Sequence, residues 1–405
     1  MKILFIVIDG LADRPIKQLG NKTPLEAART PNLDWLAQRG KCGLVEPVFT
    51  QALPTSEEGH FGLFGYDPRK YKIKRGIFTA QAAGLKIQKT DVALRGNFAF
   101  VADNLTIIDR RAGRIENTEP LIKSLNGIVI QGVKFIVKAA DGHRLAIVMR
   151  GRGLSSAISD SDPQYYNLAK KALNVLPLSK DKKACFAARR ARFTAEVLNE
   201  FLTQARQLLK QHPLNQQRIK KGLPPANYVL TRGASSVCSL PSFKQKYGLK
   251  AAVVAGKLLY QQIGRALGMS VIKVKGADGT TNTNLGAKFA AAKNALTRND
   301  FVFCHIKATD TLAENGDFAG KKAFIEKIDQ ALGPITKLEN VLIVITADHA
   351  TCCLLKRHCQ GPAPLLVYGL GHTGPAKFSE RNCQKGGLGK ISALQLMSKL
   401  LKWRR

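Results

Sequence analysis

Acids are scarce in this chain. It carries 29 Asp and Glu against 63 Lys and Arg, a net charge of +34. Such a balance attracts anions, whether nucleic acid, anionic lipid or phosphorylated metabolites. Long hydrophobic runs are missing too. Nowhere do roughly 18 apolar residues run together, so no membrane-spanning helix is expected. The apolar opening from Met1 to Ile8 meets Asp9-Gly10 at once, too short for the core of a signal peptide. The expectation is a soluble cytoplasmic protein with no membrane partner. The 8 cysteines (Cys42, Cys185, Cys238, Cys304, Cys352, Cys353, Cys359 and Cys383) include no paired CxxC spacing, which points to neither a zinc site nor a disulfide framework. There is no GxSxG, no P-loop and no GxGxxG with a following acid. Hydrolase-triad, nucleoside-triphosphatase and dinucleotide readings therefore lack support. No zinc finger, RNA-recognition signature or aromatic–basic platform occurs, so nucleic-acid binding would rest on non-specific charge attraction. Repeats and low-complexity segments are likewise missing.

What is present is enough for a large core. At 405 residues and 45% hydrophobic, the chain is expected to form two domains. Basic residues run along its whole length, which favours solvated faces over one dedicated patch. The densest stretch, Lys180 to Arg192, leads into Phe193, Val197, Phe201, Ala205 and Leu208 at helical spacing, read as core positions. Residues 3–8 read as a buried parallel strand, and Asn32 to Gln38 as a short helix behind Thr30-Pro31. Between Asp91 and Val148 the pattern breaks into short β-rich pieces, among them 92–94 and 98–101, and helices are expected between about 164 and 210. Further on, apolar runs at 251–254, 271–274, 301–303, 341–345 and 365–368 alternate with helical stretches, the α/β signature of a mostly parallel sheet. The simplest architecture is one α/β domain built from residues 1–87 and 246–405, interrupted by an α+β insertion at 88–245.

Several widely spaced fragments carry chemistry. Asp9 ends the first strand and precedes glycine; taken alone it reads as a cap or turn aspartate. Asp348-His349 repeats the pattern after 341–345, and a carboxylate beside an imidazole there is better read as a metal site. Asp310 and Glu314 stand four apart and share a face on a helix or tight turn, and His358 follows soon after Asp348-His349. Ser56 lies in Pro-Thr-Ser-Glu-Glu-Gly-His, where an isolated serine would cap a helix. Beside metal ligands, its hydroxyl becomes a candidate nucleophile. Together these fragments offer oxygen and imidazole ligands for two divalent cations at the carboxyl edge of a sheet. The reaction class they suggest is metal-assisted phosphoryl transfer through a serine. His60, His143, His212, His305 and His372 read as surface or satisfied-core histidines. Cys352, Cys353 and Cys359 crowd the metal fragments and read as bystanders.

These fragments sit within a longer ordered set: Lys22-Thr23-Pro24-Leu25-Glu26-Ala27-Ala28, Thr30-Pro31-Asn32-Leu33-Asp34, Gly65-Tyr66-Asp67-Pro68, Arg95-Gly96-Asn97-Phe98, His305-Ile306-Lys307 and Ala347-Asp348-His349-Ala350-Thr351. Over its whole length the chain resembles the archaeal-type, cofactor-independent phosphoglycerate mutases of the alkaline phosphatase superfamily. The resemblance implies an alkaline-phosphatase-like, mostly parallel sheet sandwiched by helices, with the insertion acting as a substrate-binding lid. It implies one manganese-like ion on Asp9, Ser56, Asp348 and His349, and a second on Asp310, the Glu314 position and His358, with magnesium or zinc as other candidates. Ser56 would take the phosphoryl group from 3-phosphoglycerate and return it to bound glycerate, without bisphosphoglycerate. Arg95, Arg111, Arg114, Arg232 and Lys275 would neutralise phosphate and carboxylate.

The chain departs from the pattern at identifiable places. Glu314 replaces a histidine in Asp310-Thr-Leu-Ala-Glu314-Asn315-Gly316-Asp317, Thr79 replaces an acid, Cys352 replaces a proline, and Gly361 replaces the acid after His358. The runner-up readings are a diverged phosphatase or phosphomutase of the same superfamily, and a catalytically weakened basic protein that binds nucleic acid.

Overall fold

The computed structural model describes residues 1–49, 55–163, 171–178, 186–237, 240–371 and 374–404. Cys185, Cys238, His372 and the lysines Lys180, Lys182 and Lys183 lie outside the described residues. The strands, in chain order, are β1 (Lys2–Ile8), β2 (Gly40–Glu46), β3 (Val92–Val101), β4 (Ile107–Asp109), β5 (Val129–Ile130), β6 (Val133–Asp141), β7 (Arg144–Arg150), β8 (Tyr228–Ser235), β9 (Ala251–Val254), β10 (Ser270–Ile272), β11 (Phe301–Ile306), β12 (Val341–Thr346), β13 (Ala350–Cys352), β14 (Arg357–Cys359), β15 (Ala363–Tyr368) and β16 (Lys390–Ser392). The chain divides into two compact units, Met1–Tyr71 with Leu240–Arg405, and Lys72–Ser239. The first junction comes earlier than the expected 87/88 because the helix Arg75–Ala82 packs on β3 and β8, and Ile77 N–H donates to Ser235 Oγ at 2.8 Å. The second also comes earlier than 245/246. Phe243 packs against Phe301 of β11, with ring centroids 4.6 Å apart.

The first unit holds an eight-stranded sheet in the order β10-β9-β11-β1-β12-β15-β2-β16. Neighbours run parallel except around β15, which is antiparallel to both β12 and β2. Strand β1 is apolar on both faces because both faces are covered. Leu4, Ile6 and Ile8 join Leu33, Phe289 and Phe324 in one buried cluster. On the opposite face Phe5 meets Phe64 and Phe301, with centroids 5.9 and 5.7 Å away. Each such side chain contributes about 1.5–3 kcal/mol of burial. The register pairs Ile8 with Ile306 and Val7 with Thr346. The residues that follow β1, β11 and β12 therefore leave the sheet at one edge, the edge where open parallel sheets place ligands.

The second unit is antiparallel throughout: β4, β3, β7, β6 and β5 run in that order, and β8 also pairs with β3. The two expected pieces at 92–94 and 98–101 are one strand, since Arg95 and Asn97 between them are buried at 8% and 7% exposure. The helix Phe186–Gln211 covers the sheet through Val197, Phe201, Ala205 and Leu209, and Phe201 stacks on Phe135 at 4.0 Å. Leu208, expected in that core, is 42% exposed. Leu209 takes the inward place because it continues the four-residue spacing from Phe201 and Ala205. Residues 171–178, inside the expected helical region, are not helical.

A correction concerns cysteine. Cys352 and Cys359 form a disulfide. Their spacing matches no cysteine signature, but β13 and β14 fold back as an antiparallel hairpin and bring the Cα atoms to 5.8 Å.

Candidate functional site

The three strands at the centre of the first unit deliver the carboxylates. Asp9 follows β1, Lys307 and Asp310 follow β11, and Asp348-His349 follow β12. The chain turns sharply at Gly10, whose φ of +64° suits glycine. A Cβ there would stand 2.6 Å from Thr351 Oγ1 and 2.9 Å from Asp310 Oδ1, so glycine lets Asp9 and Asp310 approach. Asp310 lies in the first turn of the helix Ala308–Asn315, and Thr309 Oγ1 donates to the Asp9 carbonyl at 2.5 Å.

Two groups of possible metal ligands result, each with its donor atoms within 4.8 Å of one another: Asp9, Asp348 and His349, and Asp310, His349 and His358. Proton bookkeeping shows what the first group needs. The Thr351 hydroxyl donates to the Asp310 carboxylate at 2.6 Å. Thr351 Oγ1 must then accept from His349 Nδ1, 3.1 Å away, so the proton of neutral His349 resides on Nδ1. Its Nε2 lone pair faces Asp348 Oδ2 at 3.1 Å and Asp9 Oδ1 at 3.5 Å. Asp9 Oδ1, Asp348 Oδ2 and His349 Nε2 are buried and have no hydrogen-bond partner among the described residues. Three lone-pair donors converging without a proton repel one another unless a cation stands between them. The donor set, two carboxylate oxygens and one imidazole, suits manganese or zinc.

The second group is thinner. His358 Nε2 is 3.6 Å from Asp310 Oδ1, and its ring stacks on His349 at 3.7 Å between centroids. Glu314 is exposed one turn along the helix from Asp310 and joins neither group.

Buried neighbours hold the ligands, and two of them, His60 and His305, are ones the sequence reads as surface or satisfied-core histidines. His60 Nδ1 lies 2.7 Å from the Ser56 carbonyl and 3.3 Å from Asp348 Oδ2. A carbonyl only accepts, so Nδ1 carries a proton there and cannot serve as a base at that atom. His305 Nε2 meets Asp9 Oδ2 at 3.0 Å, and the Tyr260 hydroxyl donates to the same oxygen at 2.5 Å. Lys307 Nζ donates to Asp310 Oδ2 at 2.5 Å and to Asp9 Oδ2 at 3.2 Å. The available signals were positional: His60 is four residues from Ser56, and His305 and Lys307 close a strand that leads to Asp310.

Electrostatics agree with these roles. Burial would raise the Asp9 carboxyl, but Lys307, His305 and His349 outweigh it and hold it well below the ordinary range. Asp310, buried likewise, is pulled down to about 2 chiefly by Lys307. Burial opposes the Lys307 charge, yet Asp310 and Asp9 push its pKa well up, so it stays an ammonium. Burial lowers His349 and takes His305 down to about 3, keeping both neutral.

Ser56 is the first residue of the helix Ser56–Leu63 and is buried. It is not the cap. Thr55 caps the helix, its side chain accepting from Glu58 N–H while the Glu58 side chain accepts from Thr55 N–H. The hydroxyl of Ser56 is thus spared the capping role. The helix packs tightly on Asp348: a Cβ at Gly59 would stand 2.8 Å from the Asp348 carbonyl.

The second unit gathers positive charge of its own. Arg95 of β3 and Arg232 of β8 sit directly opposite in register. His143 is driven down to about 3, first by burial and then by Arg144, Arg111 and Arg95. The Asp109 carboxylate accepts from Arg111 N–H at 2.8 Å and Gly113 N–H at 2.6 Å, shaping the loop that also carries exposed Arg114. Lys275, in the first unit, is exposed on the loop after β10.

Comparison with known proteins gives a consistent result. Residues 1–402 match the family described as the metalloenzyme superfamily. The chain is 44% identical over 407 residues to 2,3-bisphosphoglycerate-independent phosphoglycerate mutase 1 of Archaeoglobus fulgidus, covering 98% of this chain and 97% of that one. It is 38% identical to the enzyme of the same name from Methanocaldococcus jannaschii, covering 99% and 96%. Among solved structures, the cofactor-independent phosphoglycerate mutase of Thermoplasma acidophilum is similar at 33% identity and a TM-score of 0.66, with all of both chains covered.

Proposed function

Because the chain belongs to the metalloenzyme superfamily and, within it, to the 2,3-bisphosphoglycerate-independent phosphoglycerate mutases, we propose that it interconverts 3-phosphoglycerate and 2-phosphoglycerate through a phosphoserine at Ser56. The observation that carries this reading is the convergence of Asp9, Asp348 and His349 as unprotonated, buried donors beside the helix that Ser56 begins.

Asp9, Asp348 and His349, with Ser56, would hold one divalent ion; Asp310 and His358 would hold the second. Manganese fits their mixed oxygen and nitrogen donors. When bound, such ions lower the pKa of the serine hydroxyl and offset charge on the transferring phosphoryl oxygens. The Ser56 oxygen attacks phosphorus as the bond to the substrate's 3-oxygen breaks and that oxygen takes a proton. The 2-hydroxyl of the retained glycerate then attacks the phosphoserine and frees Ser56. Lys307, held as an ammonium, supplies fixed positive charge and not a base. His60 and His305 orient Asp348 and Asp9. By the family resemblance, Arg95, Arg111, Arg114, Arg232 and Lys275 are the residues proposed to neutralise the phosphate and carboxylate of a small phosphorylated acid.

The reaction belongs to glycolysis and gluconeogenesis and is placed in the cytoplasm. Among the described residues no helix is long and apolar enough to cross a membrane. Metal-stripped protein, assayed with and without manganese while free phosphate is followed, tests the reading. Metal-dependent isomerisation without phosphate release is expected. Phosphate release alone would move the protein to the phosphatases, and silence in both conditions would remove the activity altogether.

A further inference from the structure

The hairpin that presents His358 is an unusually small support. Strands β13 and β14 have three residues each and form a two-stranded sheet apart from the main one. Its turn exposes Leu354 and Leu355 at 58% and 42%. Strand β13 is tied to the rest of the unit, Thr351 N–H donating to the Ala12 carbonyl at 3.0 Å and Lys321 Nζ to the Thr351 carbonyl at 2.9 Å. Strand β14, which carries His358, is paired with β13, and a two-stranded pairing is marginal without further ties. Side chains alternate between its faces. Thr351 and His358 lie directly opposite on one face and reach Asp310 through Thr351 Oγ1 and His358 Nε2. On the other face Cys352 and Cys359 pack with Ala12 and Ala350 in a closed apolar cluster and are joined by the disulfide.

We propose that Cys352 and Cys359 are a positioning pair whose disulfide fixes the hairpin register and so holds His358 at the second metal group. The inference rests on the two-ion reading above. Its logic is local. Asp310 is mounted on a helix behind a central strand, and Glu314 lies outside the group, so the second ion depends on where β14 puts one imidazole. A slip of β14 by one residue would turn His358 to the opposite face. The bond forms when the two thiols give two electrons and two protons to an oxidant, either molecular oxygen or a small disulfide. A dithiol reverses it, closing to its own cyclic disulfide.

The test uses the full chain. Thiol titration in denaturant should find two more reactive thiols after reduction than before. An unchanged count overturns the proposal. In the Cys352→Ser, Cys359→Ser variant, amide hydrogen exchange across residues 350–359 of the metal-free protein should speed up by at least about tenfold. Manganese binding should lose about 10–100-fold in affinity at one site, the loss typical of a ligand-positioning partner, and at most about twofold at the other. Excess manganese should restore activity. Unchanged exchange, or equal losses at both sites, would contradict a positioning role. If the serine pair fails to fold, Cys352→Ala with Cys359→Val refills the apolar cluster without the bond and answers the same question. Faster exchange in a protein whose wild type binds no manganese would sink the metal reading while leaving the hairpin clamp in place.

Discussion

The two groups of metal ligands share His349 but are built from different materials. The first grows from the ends of two central strands, its carboxylates fully buried, with His305, Tyr260 and Lys307 bonded to Asp9 and His60 3.3 Å from Asp348. The second takes Asp310 from the same sheet edge and His358 from a short hairpin, where the imidazole is 19% exposed. The first is therefore preorganised by the core that folds the domain. The second depends on local devices, the Thr351 hydroxyl and the cysteine pair. Rigidity of a ligand follows from what its backbone is bonded to, more than from the ligand's own chemistry.

Removing the nucleophile gives the largest effect, since Ser56 is both the proposed phosphoryl acceptor and a proposed ligand of the first ion. Ser56→Ala should lower turnover by on the order of 10⁴-fold or more, abolish covalent phosphate on the protein by mass spectrometry, and leave the fold intact. Substantial residual mutase activity would show that the phosphoryl group does not pass through Ser56. Next come the first-group substitutions. Asp348→Asn should cost at least about a hundredfold in affinity for the tighter manganese ion, and His60→Phe about 10–100-fold, read by calorimetry. If His60→Phe instead weakened the looser ion alone, the division between the groups would be drawn in the wrong place.

Acid should act on the first group's support even without metal. His305, pushed down to about 3 by burial, stays neutral in the native protein, while the unfolded chain takes up a proton near pH 6.5. The unfolded state then binds more protons below that pH, so stability conferred by His305 is present above about 6.5 and is lost as pH falls toward 3. The slope is at most about 1.4 kcal/mol per pH unit. His305→Gln should flatten denaturant-derived stability across pH 6 to 4; a slope unchanged by the substitution would mean that His305 titrates alike in both states. Glu314→Ala should change affinity for the second ion by no more than about threefold, given its exposure. A tenfold loss would restore Glu314 to the ligand set that its spacing from Asp310 suggests.

How much of this was legible differs by residue. Asp9 and Asp348-His349 stood out because a buried strand that ends in acids advertises its own edge. Ser56 was visible within a turn-like motif, though only the structure shows Thr55 taking over the cap. His60 and His305 were hidden, because a histidine against a carboxylate looks in sequence like any buried histidine. Strand β3 was split by Arg95 and Asn97, whose polarity suggests exposure while cross-strand neighbours bury them. The disulfide was invisible because hairpin register, not spacing along the chain, decides which cysteines meet. Glu314 misleads for a related reason. Helical spacing puts it on the side of Asp310, but Asp310 begins its helix beneath Gly10 and Thr351, whereas one turn later the helix has reached solvent.

The most direct test of the contrast between the two groups is a manganese-binding isotherm on metal-stripped wild-type protein. Two ions per chain should bind with affinities separated by at least about tenfold, the tighter one lost in Asp348→Asn and the looser one in His358→Ala. A single ion, or two ions of equal affinity that both respond to His358→Ala, would contradict the account.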